Sequence, residues 1–226
     1  MKKRYLTMGA SLIGAVALAA GPALASGNAY TVSSGTFTSG DHDFTASNTT
    51  GITFNVKHLA NGNIVSMPCD GVTIPDTGGS AQVHDGTGIV DIATFDSSAW
   101  AGCHFGNLPL TVTQSGTWAI HGTGAATSGT NDVIDGHVDG VHASVAASPA
   151  ILCNFTVDGT TDADPGKANG SFDESSQVLS VNETGYTGNL VVHNVHGCSG
   201  AISDGDPAEF IGDFDVTADN GPINLQ

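Results

Sequence analysis

From Tyr30 onward, apolar and polar residues change places at almost every step in short runs. The clearest are Tyr30–Phe37, Gly51–Lys57, Ile89–Phe95, Leu108–Thr113, Thr117–His121, Ile151–Val157, Val178–Val181, Leu190–Val195 and Phe210–Val216. In the last of these, Phe210, Gly212, Phe214 and Val216 fall on one side, and Ile211, Asp213 and Asp215 on the other. A strand with one dry and one wet face has this period of two. The runs are separated by Gly, Asn, Asp, Ser and Pro, which set turns. No stretch keeps apolar positions at helical spacing, and 31 glycines weigh against long helices. The pattern predicts an all-β fold: an antiparallel sandwich or barrel of about twelve short strands. Asn61-Gly62-Asn63, Asp85-Gly86, Asp158-Gly159 and Asn169-Gly170 have the composition of tight turns. Residues 160–169 read as a long polar loop. A weaker break at 123–131 is where two lobes would part, if 26–226 is more than one unit.

The first 25 residues carry a different pattern. Met1-Lys2-Lys3-Arg4 is followed by an apolar run and then by Ala23-Leu24-Ala25. This is the layout of a cleaved secretory signal peptide, with an apolar segment too short for a membrane span. The expectation is an extracellular product beginning at Ser26, with no lipid anchor and no membrane span in the mature chain.

Removing the signal changes the charge. Lys57 and Lys167 then face 19 Asp and three Glu, a formal charge of −20, and no arginine remains. Nucleic acid is excluded as a partner, because a basic footprint is missing. Docking on an anionic membrane is disfavoured for the same reason. The charge favours solubility.

Cys69, Cys103, Cys153 and Cys198 are an even set in an exported chain, which reads as two disulfides. Three pairings are possible. The sequential one, Cys69–Cys103 with Cys153–Cys198, is favoured because each bridge staples one half of the chain. The wide spacing argues against a cysteine metal site.

Candidate chemistry is sparse. Gly197-Cys198-Ser199-Gly200 superficially resembles the nucleophile segment of trypsin-like proteases, but cysteine replaces the acid before the serine and no base is placed upstream. Asp135, His137 and Asp139 alternate and would share one strand face, and His193 and His196 lie near Cys198. With no H-E-x-x-H or H-x-H, these read as histidines of a polar surface. Aspartate pairs recur. The segment from Asp162 fails the order of an EF-hand, with Lys167 where glycine is needed, whereas Asp204-Gly205-Asp206 is the better loop for Ca²⁺. Trp118 reads as a core anchor.

Leu110-Thr111-Val112-Thr113, Gly116-Thr117-Trp118, Cys153 to Gly159, Gly197 to Gly200 and Gly205 to Val216 follow one another in fixed order. In this the chain resembles a group of secreted, disulfide-containing β proteins of actinobacteria. The resemblance implies export and a disulfide-stapled β fold, and it implies no activity. The reading that follows is a non-enzymatic protein of the cell surface or medium, acting as a binding or envelope component. Self-association through an exposed strand edge is open to it. The competing readings are a small carboxylate-dependent hydrolase, which needs two acids converging in a cleft, and a carrier with an apolar cavity of several hundred Å³.

Overall fold

The computed structural model describes residues 27–226 apart from 37, 38, 49, 76, 128 and 130; the signal segment lies outside the described residues. In chain order the strands are β1 (Tyr30–Ser34), β2 (Gly40–Asn48), β3 (Ile52–Lys57), β4 (Ile64–Cys69), β5 (Gly71–Ile74), β6 (Ala81–Ile89), β7 (Asp91–Phe95), β8 (Ala99–Ala101), β9 (His104–Phe105) and β10 (Leu108–Gln114). They continue as β11 (Trp118–Gly122), β12 (Val133–Val141), β13 (Ala143–Ala147), β14 (Cys153–Asp158), β15 (Gly166–Asp173), β16 (Val178–Asn182), β17 (Val191–Gly197), β18 (Ala208–Ala218) and β19 (Ile223–Leu225).

Eight of them close a barrel in the order β2-β6-β7-β11-β12-β15-β16-β18, and the β2–β6 pairing completes the circle. Every pairing is antiparallel. Closure removes the unpaired edges that an open sheet of this size would expose. Alternation points Phe44, Val83, Phe95, Ile134, Leu179 and Phe214 into the core, all buried.

Strand β18 is long enough to serve three neighbours. One side pairs with β16; the other pairs with β2 over Phe214–Ala218 and with β3 over Ala208–Ile211. Strand β12 likewise runs almost straight into β13, interrupted only at His142. That step carries the chain out of the barrel into a second sheet of order β17-β14-β13-β10-β9. This sheet lies against one end of the barrel, where Val112, Val145 and Val157 face Trp118, Val138 and Phe214 across an apolar space of about 80 Å³. At the other end Ile223 and Leu225 share a space of about 30 Å³ with Phe44, Ile120 and Phe172.

Both disulfides follow the sequential pairing: Cys69–Cys103 and Cys153–Cys198. The first ties the end of β4 to the residue before β9, and so links the two sheets. The second joins strands that already pair, since Cys153 stands opposite Gly197. Trp118 is buried and packs on Phe95, with ring centroids 5.6 Å apart. No helix among the described residues is long and apolar enough to cross a membrane.

Three local expectations need correction. The described residues form nineteen strands rather than about twelve, because Gly- and Ala-rich segments such as β12 and β15 also pair. The polar loop ends at Pro165, and 166–169 already belong to β15. Asp85-Gly86 and Asn169-Gly170 lie inside β6 and β15 instead of at turns. Gly170 serves close approach: a Cβ there would stand 2.3 Å from the Ser180 carbonyl oxygen. Residues 123–131 connect β11 and β12, which pair with each other.

Candidate functional site

In a chain with so few lysines, imidazoles stand beside many of the carboxylates. Six histidines meet an aspartate: His42 with Asp85, His58 with Asp206, His84 with Asp41, His121 with Asp91 and Asp139, His137 with Asp139, and His142 with Asp158. Most are one-to-one contacts. At one place on the barrel wall the pattern differs.

Strands β7, β11, β12 and β15 are neighbours, and their register sets Asp91, His121, His137 and Asn169 in one transverse row. Direct pairing puts His121 and His137 on the same face, and a bulge in β7 opposite Ile120 and His121 turns Asp91 toward them. On β12 that face also carries Asp135 and Asp139, opposite to the core-facing Ile134 and Val138. Asp139 stands across from Lys167 of β15.

The two imidazoles stack, with centroids 5.2 Å apart and planes 25° from parallel. Asp139 Oδ2 lies 3.0 Å from His137 Nε2 and 3.4 Å from His121 Nε2, and Oδ1 lies 3.7 Å from Lys167 Nζ. Behind His121, Nδ1 faces Asp91 Oδ1 at 3.4 Å, is buried and makes no hydrogen bond. Side-chain exposure falls from 29% at Asp139 to 12% at His121 and 5% at His137, so the group opens to solvent on the Asp139 side. Burial works against the Asp139 charge. The His137 hydrogen bond and the nearby His137, Lys167 and His121 outweigh it, holding the carboxyl below its usual range. One donor atom from each of His121, His137 and Asp139 lies within 4.8 Å of the other two, the grouping of three metal-ligand side chains found among the described residues.

The sequence had singled out His137 and Asp139 as surface groups; the structure buries His137 and adds His121, Asp91 and Lys167. Asp135 stays exposed. The signal for His121 is faint: His121-Gly122 and Gly136-His137 are mirror images, and Gly122 pairs with Gly136. His193 and His196 do not join the group, and His193 Nε2 meets the Gly159 carbonyl at 2.9 Å. Ser199 sits in a 3-10 turn beside its disulfide.

The proposed Ca²⁺ pair is engaged otherwise. Asp206 is buried; Oδ1 accepts from Leu59 N at 2.9 Å, while Oδ2 accepts from Ser203 N at 2.8 Å and meets His58 Nδ1 at 2.8 Å. Asp204 Oδ1 accepts from Val195 N at 2.7 Å. Both carboxylates anchor loops.

Four of the other five buried acids among the described residues act in the same way, while the fifth, Asp158, accepts no hydrogen bond and meets His142. Glu174 accepts from the backbone of Asp132 and Leu225, Glu183 from Asn169 and Gly188, Glu209 from Gly185, and Asp85 from Ser34. Burial raises the Glu174 pKa in spite of these bonds. The central cavity, about 80 Å³ with apolar walls, is smaller than the roughly 300 Å³ at which sites for drug-sized molecules begin.

No family model, curated protein or solved structure matches this chain.

Proposed function

We propose that the chain is an exported, non-enzymatic protein of the cell surface or medium that acts by binding through its outer wall or as an envelope component. The observation that carries this reading is the use of the buried acids. Of the six buried acids among the described residues, Glu174, Glu183, Glu209, Asp85 and Asp206 each accept at least one backbone N–H, so their oxygens hold loops in place instead of facing a cleft as proton carriers; the sixth, Asp158, meets His142. The packed core supports the same reading over a carrier of organic molecules. Export is supported by the leader-like first 25 residues and by the two disulfides.

The test is a panel of chromogenic esters, glycosides and peptides, incubated with the disulfide-bonded protein without added metal. No turnover above the blank is expected. Hydrolysis that scales with protein and disappears in Glu174→Gln or Glu209→Gln would replace this reading with the carboxylate hydrolase.

A further inference from the structure

We propose that His121, His137 and Asp139 form a binding site for one divalent cation of the zinc class, with Asp91 as the outer support of His121. A neutral His121 cannot match both of its neighbours. His121 stands between two carboxylates, Asp91 at Nδ1 and Asp139 at Nε2. A neutral imidazole has one N–H and one lone pair. With the proton on Nε2, the Nδ1 lone pair faces the Asp91 carboxylate; with the proton on Nδ1, the Nε2 lone pair faces Asp139. Either tautomer turns one lone pair on an acid. A cation between the two rings and Asp139 suits both sides of His121: Nδ1–H points to Asp91, and the Nε2 lone pair and Asp139 Oδ2 both become donors to the ion.

The spacing suits such an ion. Metal–ligand bonds of about 2.0–2.1 Å in a tetrahedron set neighbouring donors about 3.4 Å apart. Asp139 Oδ2 is 3.4 Å from His121 Nε2 and 3.0 Å from His137 Nε2. Two imidazole nitrogens and one carboxylate oxygen match zinc better than calcium, which takes six or more oxygens. A carboxylate behind a ligating histidine is the usual outer partner, fixing tautomer and ring plane. The donors stand on directly paired strands of a closed barrel, which holds them in place. Three protein donors leave a fourth position on the exposed Asp139 side for water or an external ligand. Lys167 beside Asp139 opposes the ion, and Asp91 and Asp139 together outweigh it.

The experiment titrates Zn²⁺ into the disulfide-bonded, chelator-treated protein at pH 7, using calorimetry and native mass spectrometry. Long-range ¹H–¹⁵N spectra of the histidine rings are recorded on the wild type. One ion per chain is expected, with shifts confined to His121 and His137. Asp91→Asn should weaken binding about tenfold, while His121→Gln and Asp139→Asn should weaken it by more than about 100-fold. His104→Gln, whose Nδ1 meets only the Gly102 carbonyl, should change nothing. Circular dichroism checks that each variant is folded, and the ring spectra decide the matter in the wild type if one is not. No stoichiometric binding, ring shifts at other histidines, or equal affinity in folded His121→Gln and Asp139→Asn overturns the site. None of these outcomes depends on whether the protein hydrolyses anything.

Discussion

Replacing Glu183 by alanine tests how this barrel uses its buried acids. Strand β16 pairs with β15 only from Gly170 to Asp173, so the earlier N–H groups of β15 run past their partner. Side chains take over the ladder: Glu183 Oε2 accepts from Asn169 N at 2.8 Å, and Asn189 Oδ1 accepts from Lys167 N at 2.5 Å. Glu183 Oε1 also takes the Gly188 N–H and, at 3.1 Å, the Thr187 hydroxyl. Glu183 is fully buried. Truncation leaves two backbone N–H groups without an acceptor, at about 1–3 kcal/mol each. Relief of burying a charge, and water entering the space, offset part of this. The expected loss is about 3 kcal/mol, which for a domain of this size lowers Tm by about 6–12 °C. Urea and thermal unfolding followed by the fluorescence of Trp100 and Trp118 measure it, with Asp213→Ala, an exposed acid, as the control for lost charge. A Glu183→Ala protein within about 1 kcal/mol of wild type would refute the view that these carboxylates stand in for missing strand partners.

Further expectations follow from the same contacts. Gly188→Ala places a Cβ 2.6 Å from the Glu183 carboxyl carbon and should cost about 1–3 kcal/mol. In a double-mutant cycle with Glu183→Ala that cost should largely vanish, as denaturation midpoints will show. Opening either disulfide by a Cys→Ser pair should cost about 4 kcal/mol, given loops spanning 34 and 45 residues, read from the same curves. Asp132 is held below the usual carboxylate range by the Thr127 backbone N–H and hydroxyl. A depressed folded pKa gives stability that is present above the unfolded value and lost as pH falls through the folded one. Thr127→Val should therefore move the Asp132 carboxyl titration upward in ¹³C spectra and shrink the acid-side loss.

The alternation at Phe210–Val216 sufficed to place β18, and Trp118 could be assigned to the core from its setting in a strand. These were legible because large apolar side chains mark a face. Strand β15 was not, because its inward positions are Gly166, Ala168 and Gly170, where the neighbouring backbone comes too close for larger residues. The candidate site was half legible. His137 and Asp139 share a face by arithmetic on one strand, whereas His121 joins them only through the register between β11 and β12, and Asp91 only through a bulge in β7. Asp204-Gly205-Asp206 stands out in the sequence as a short acidic loop, while His58 and Leu59, which Asp206 meets, are distant along the chain. The glutamates gave no warning at all, since a carboxylate that accepts backbone N–H groups has the same letter as one facing water.

Strand β18 also bears on the order of events by which the chain folds. It follows every strand it joins, and Asn48 must wait for Phe214. A chain emerging N-terminus first therefore holds β2, β3 and β16 with an open flank until β18 arrives, and the barrel cannot close around a partial product. Both disulfides, by contrast, lie wholly upstream of β18 and can form while that flank is open. Oxidation would then shorten the search that β18 has to make, and any delay in its arrival would be spent with an unpaired edge exposed to other copies of the chain.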